Sequence, residues 1–242
     1  MNNKVKGGLL IFLMSVTFYM MITTKYTHAL GDYVLEFIGL KSWTGNFSGT
    51  HLTVIYFGIL FMISLFLVEK YVIDDLNIRR KSVFFIFIAL MIVFSSITGM
   101  TARNIKKNSS GLLAIGYNFR GSSMNYRSED NRFSEFTAKF ELTNYSNKKK
   151  NFYLSIDSPS YREDGIKEIS FYTFAGTRAI FQLEGNETKS FFLSSNSYDI
   201  VGGRELQNGS GSGIIEEIIL TNDKGKKVRL DSNNFFGIEL NK

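Results

Sequence analysis

The chain has 242 residues, a net charge of +6, no cysteine and two histidines, His28 and His51. Disulfides, thiolate catalysis and cysteine metal sites are therefore excluded throughout. Residues 103–242 also lack any histidine for acid–base or metal chemistry, and their 20 basic against 17 acidic residues are too balanced for a nucleic-acid partner.

The N-terminal part is apolar. Three segments without a charged residue, about Gly8–Thr24, Leu52–Val68 and Ser82–Ala102, have the length needed to cross ~30 Å of hydrocarbon. None shows the polar face expected of a helix at the surface of a soluble protein. The reading is a membrane domain over residues 1–102 with three transmembrane α-helices and the lipid bilayer as its solvent. A cleaved signal peptide is the alternative for the first segment, resting on Thr27-His28-Ala29 as a cleavage site.

Between the first two segments, Leu30, Tyr33, Val34, Phe37, Ile38 and Lys41 recur at helical spacing. They predict an amphipathic interfacial helix over about residues 30–41. Trp43 follows as a membrane-interface anchor, and the glycine-bounded turn Gly45–Gly49 leads into the second segment.

Orientation is read from Lys and Arg at the segment ends. Lys4, Lys6, Lys70, Arg79, Arg80 and Lys81 oppose Lys25, Lys41, Arg103, Lys106 and Lys107. The tight Arg79-Arg80-Lys81 cluster decides for a multi-pass cell-membrane protein with a cytoplasmic N-terminus and an extracytoplasmic C-terminal domain. The segments contain hydroxyl residues but no ionisable group, which argues against an ion pathway. Ser95, Ser96 and Gly99 would let the third segment approach another helix, in this chain or in an oligomer.

Residues 103–110 are polar and read as a tether. Beyond them, over residues 111–242, the apolar pattern alternates. Phe133–Leu142 and Phe152–Ile156 flank Asn144–Asn147. Arg178–Leu183 and Lys189–Leu193 flank Glu184–Glu187. Ile214–Leu220 and Lys227–Leu230 flank Thr221–Gly225. Each reads as strand, turn, strand, with Asp223-Lys224-Gly225 supplying the positive-φ residue of a hairpin. Further strands are predicted at Leu112–Phe119, Glu168–Phe174 and Phe235–Leu240, giving eight or nine in an antiparallel all-β sandwich. The stretches FELTNYSNKKKNFYLSI and FQLEGNETKSFFL resemble the paired strands of bacterial immunoglobulin-like surface domains. That resemblance covers about sixty residues and implies a fold, not an activity.

No catalytic, cofactor-binding or metal-binding set emerges. Ser146-Asn-Lys-Lys149 matches the start of a penicillin-recognising site but lacks the companion Lys-Thr-Gly. The acidic pairs Glu163-Asp164 and Glu216-Glu217 read as surface charge, and so does the Lys148–Lys150 run. The glycine-rich stretch Gly202–Gly213 lacks the ending of a phosphate-binding loop. It reads as a long loop, with Gly202, Gly203, Arg204, Glu205 and Leu206 as the candidate partner-binding residues. The asparagine-, lysine-, isoleucine- and phenylalanine-rich composition is that of a low-GC bacterium. The expectation is a non-enzymatic, membrane-anchored interaction module, an accessory or sensing subunit for an envelope or membrane protein. An envelope enzyme with carboxylates or Ser/Lys in the sandwich loops and a subunit of an oligomeric transporter are the alternatives.

Overall fold

A computed structural model describes residues 3–24, 26, 28–45, 49–130, 132–157, 168–202, 208–231 and 234–240. The chain divides into two compact units, Met1–Thr101 and Ala102–Lys242.

The first unit is helical. Helix α1 (Asn3–Tyr19) is followed by the short α2 (Leu30–Phe37) and by α3 (Leu52–Val68), which runs on as a π-helical segment, Glu69–Asp74. Helix α4 (Arg80–Asn108) begins in this unit. Two helices, Leu52–Asp74 and Arg80–Asn108, are long and apolar enough to cross a membrane. Their apolar side chains point outward in large part, as with Phe66 (66% exposed) and Phe85 (68%). The inward sides pack through Ile11, Met14, Val68, Val72 and Val83. Phe12 and Tyr19 pack against the Phe94 ring, and the Tyr19 hydroxyl donates to Thr98 Oγ1 at 2.9 Å.

Helix α1 starts before and stops short of the predicted segment. It ends at Tyr19 instead of Thr24, and the Met20 carbonyl accepts the Gly31 N–H at 2.9 Å. At 1.5 Å per residue its 17 residues measure about 26 Å. The amphipathic helix expected over 30–41 is α2, shorter at its C-terminal end.

The second unit opens with the last turns of α4. Residues 103–108, expected to be a tether, remain helical through Asn108. The reason is Lys106. Its side chain is fully buried, and its ammonium donates to the carbonyls of Leu113 (2.8 Å), Ile115 (2.6 Å) and Phe236 (3.0 Å). The Phe235 ring lies 5.3 Å from the same nitrogen. A polar residue that sequence alone assigns to solvent is thus a packed part of the β unit.

A 3-10 turn (Gly111–Ala114) leads to eleven strands among the described residues: β1 (Ile115–Glu129), β2 (Arg132–Asn144), β3 (Lys150–Asp157), β4 (Ile169–Tyr172), β5 (Ile180–Leu183), β6 (Thr188–Ser194), β7 (Asp199–Val201), β8 (Gly209–Gly213), β9 (Glu217–Thr221), β10 (Lys227–Asp231) and β11 (Asn234–Leu240). One antiparallel sheet has the order β6-β2-β1-β8. The other has the order β11-β10-β9-β3-β4-β7, with β5 also paired to β3. Alternating residues of both sheets meet in a single core, where Phe136 of β2 contacts Phe171 of β4 and Phe152 of β3 contacts Phe191 of β6.

Pairing departs from the predicted hairpins in two places. β2 pairs with β1 and β6, whereas β3 pairs with β9, β4 and β5. The turn after Asn144 therefore carries the chain from one sheet to the other, and so does the turn between β5 and β6. A buried corner accounts for both crossings. The Asn144 amide donates to the carbonyls of Lys148 and Glu184 (both 2.8 Å), and the Asn186 N–H donates to the Ser146 carbonyl at 2.8 Å. The third predicted pair is a true hairpin: β9 pairs with β10, and Gly225 takes φ 78°.

Candidate functional site

Of the predicted partner-binding residues, Gly202 follows β7, while Gly203, Arg204, Glu205 and Leu206 lie outside the described residues. The stretch was expected to be loop as far as Gly213. Its end, Gly209–Gly213, is instead strand β8, paired with Met124–Ser128 of β1. Glycine and serine can form this strand because a neighbour demands small residues. A Cβ on Gly211 would stand 2.6 Å from Cε1 of Tyr126, so the tyrosine ring occupies the space a larger residue would need.

A groove of about 800 Å³ lies at this end of the β6-β2-β1-β8 sheet. Strand alternation turns Asn125, Arg127 and Glu129 of β1 to the exposed face, and Arg127 pairs in register with Glu135 of β2 and Ser210 of β8. Arg127 Nε lies 3.0 Å from Glu129 Oε1. Asn208 closes the end by accepting the Asp130 N–H at 2.9 Å. The lining is amides, hydroxyls, the Tyr126 and Phe136 rings, and one arginine against two glutamates. Such a surface can hydrogen-bond a polypeptide or another polar ligand, and among the described residues it sets no nucleophile beside a base. Ser128 Oγ, the buried hydroxyl here, donates to the Gly209 carbonyl.

The helical unit holds a second polar constellation, one that sequence reading did not find. Asp32 on α2 is 1% exposed. Its Oδ1 accepts from His51 Nε2 at 2.7 Å, and its Oδ2 accepts from the indole nitrogen of Trp43 at 3.4 Å. The Trp43 and His51 rings stack 4.1 Å apart. Beside them Ser42 Oγ donates to Glu36 Oε1 at 2.7 Å. Trp43, expected to be an interface anchor, is half-buried and spends its N–H on Asp32. One signal was available: an aspartate amid the apolar residues of a short helix needs a partner, and His51 was the nearest downstream histidine.

Ser146 Oγ donates to Asn144 Oδ1 at 2.8 Å while Lys149 pairs with Glu184 at 2.8 Å, so the two are not a Ser/Lys couple. Burial and the Lys148 charge lower the Lys150 pKa. Glu216 is exposed and Glu217 is half-buried on β9, whereas Glu163 and Asp164 lie outside the described residues. Hydroxyls within the apolar helices return to their own backbone, Ser15 to Ile11 and Ser64 to Phe61. Gly99 lies under the Tyr26 ring of the same chain, and Ser95 and Ser96 are exposed. Among the described residues, no group of three His, Asp or Glu side chains is placed to hold a metal. Comparison with protein-family models, curated proteins and solved structures finds no match to this chain.

Proposed function

We propose that this chain is a multi-pass membrane protein that presents its β unit, a sandwich of the immunoglobulin-like kind, outside the cytoplasm. There the groove at the β1–β2–β8 end binds an envelope or membrane protein. The observation that carries the reading is the groove itself. It is the β-unit concavity that adjoins both the tip of the longest hairpin and the start of β8, it is polar, and it is framed by exposed residues of three strands. Loops and strand ends held on a rigid sandwich are common seats of binding. Membrane anchoring is supported by the outward apolar side chains of α3 and α4. All three helices span in this reading, with α1 packed on α3. The basic cluster Arg79-Arg80-Lys81 at the start of α4 favours a cytoplasmic side for that end.

Affinity capture from membranes in mild detergent tests the binding reading. A stoichiometric partner should be recovered with the native chain and lost with Arg127→Ala plus Glu135→Ala. Both side chains are exposed, so the variant should fold normally. Equal recovery would place the site elsewhere. Topology is tested separately with a reporter active only outside the cytoplasm, which should be active after Lys242 and silent near Asp75.

A further inference from the structure

We infer that the groove between α1 and the π-helical end of α3 is a site for one phospholipid whose headgroup carries both a phosphate and a primary ammonium. This inference rests on the membrane reading above. The groove measures about 780 Å³, within the ~300–1,000 Å³ of small-ligand sites. Its walls are apolar along Leu9, Leu10, Leu13 and Leu67. Lys6 to Leu13 covers about 10 Å of helix, roughly a third of a ~30 Å hydrocarbon core. An acyl chain fills a slot of that form, because water gains nothing from leucine walls.

The mouth of the groove selects the headgroup. Lys6, Tyr71 and Asp75 line it at the end shared by the start of α1 and the end of α3. Lys6 and Asp75 are both exposed, and neither forms an ion pair with another described residue. A lone cation and a lone carboxylate at one mouth complement a zwitterion. The ammonium of Lys6 meets the phosphate, and the carboxylate of Asp75 accepts from the lipid's N–H groups. A glycerol headgroup would leave Asp75 facing net negative charge, and a choline headgroup has no N–H to donate. The floor is also built for close approach. A Cβ on Gly7 would stand 2.8 Å from Leu76 Cδ1, so glycine allows Leu76 to seat beneath the mouth. The adjoining segment Glu69–Asp74 is π-helical, a geometry that recurs at functional sites.

The test uses the full chain. Carbonate-washed membranes are assayed first, and a chain released into the aqueous phase would overturn both the membrane reading and this site. The detergent-purified chain is then mixed with equal amounts of phosphatidylethanolamine, phosphatidylcholine and phosphatidylglycerol of identical acyl chains. Retained lipid is counted by native mass spectrometry. The native chain should keep one phosphatidylethanolamine with about tenfold preference over each competitor, the size of one charge-assisted contact. Asp75→Asn should remove that preference, whereas Lys6→Gln, which loses the contact to the phosphate that all three lipids share, should lower retention of all three. Lys4→Gln and Asp74→Asn, which change the same charges outside the groove, should leave both preference and retention intact. Equal retention of the three lipids, or an equal response of all four variants, would overturn the site while leaving the membrane reading intact.

Discussion

His51 Nε2 lies 2.7 Å from Oδ1 of Asp32, across nineteen residues of chain that contain the stretch between α2 and α3. The carboxylate only accepts, so this nitrogen carries the proton. Because Trp43 stacks on the same imidazole and donates to the same carboxylate, three residues tie α2 to the start of α3.

That tie predicts the behaviour of the chain's sole tryptophan. Asp32→Ala leaves two half-buried donors without their acceptor, at a cost of about 1–3 kcal/mol. The thermal midpoint of the full chain in detergent should fall, and Trp43 emission should shift to the red. His51→Phe keeps a ring for stacking and should shift emission less. Unchanged emission in both variants would mean that the cluster does not form in the detergent-solubilised protein.

Tyr117 gives an alkaline signature. Its hydroxyl donates to the Ile215 carbonyl, and burial raises its pKa well above the usual value of about 10, against a smaller lowering from Ser122. The neutral phenol is the form the folded state favours. Its contribution is complete below about pH 10 and is lost as pH rises toward the higher folded value, at about 1.4 kcal/mol per pH unit. Urea unfolding of the β unit followed from pH 8 to 11 should show this decline, and Tyr117→Phe should flatten it.

Gly211 and Tyr126 should behave as a coupled pair. Gly211→Val forces the ring or β8 to move and should cost about 1–3 kcal/mol. Tyr126→Ala empties the space, so the double variant should lose less than the sum of the single losses. Additive losses would mean that β8 does not lie against the ring.

Asn144 should be the costliest polar residue of the β unit to replace. Besides its two amide donations, its carbonyl oxygen accepts from the Ser146 N–H and hydroxyl. Asn144→Ala leaves several buried groups unpaired at about 1–3 kcal/mol each. Urea midpoints should fall much further than for Asn222→Ala, whose side chain holds an exposed turn.

The apolar runs were legible because hydrocarbon length and strand alternation are local periodicities. They gave the helical character of all three apolar segments, two of them long and apolar enough to cross a membrane, and the strand-rich C-terminal half. The β9–β10 hairpin was legible for the same reason, since Gly225 marks its own turn. The crossings after β2 and β5 were not. Their turns resemble hairpins until Asn144 is seen to join Lys148 and Glu184, contacts that no local pattern encodes. Lys106 was hidden more deeply: a lysine after an apolar helix reads as a flank, and only the folded carbonyl cradle explains its burial. At the candidate groove, the end of the glycine-rich stretch, Gly209–Gly213, is a strand and not the loop expected there. Its strand character was masked by residues that rarely form strands without a ring such as Tyr126 beside them.

The cradle around Lys106 also dictates how the protein can be dissected. A truncation placed at Asn108, near the end of the polar stretch, removes the ammonium that joins three carbonyl oxygens of the β unit. Starting the fragment six residues earlier, at Ala102, keeps the cation and carries no more of the apolar helix than the β unit itself includes. The longer fragment should be soluble and cooperative, while the shorter should lose protease resistance first around Gly111–Ile115 and Phe235–Phe236. The helical turns before the first strand are thus heritable with the sandwich: a recombination joint or fusion point belongs on their N-terminal side.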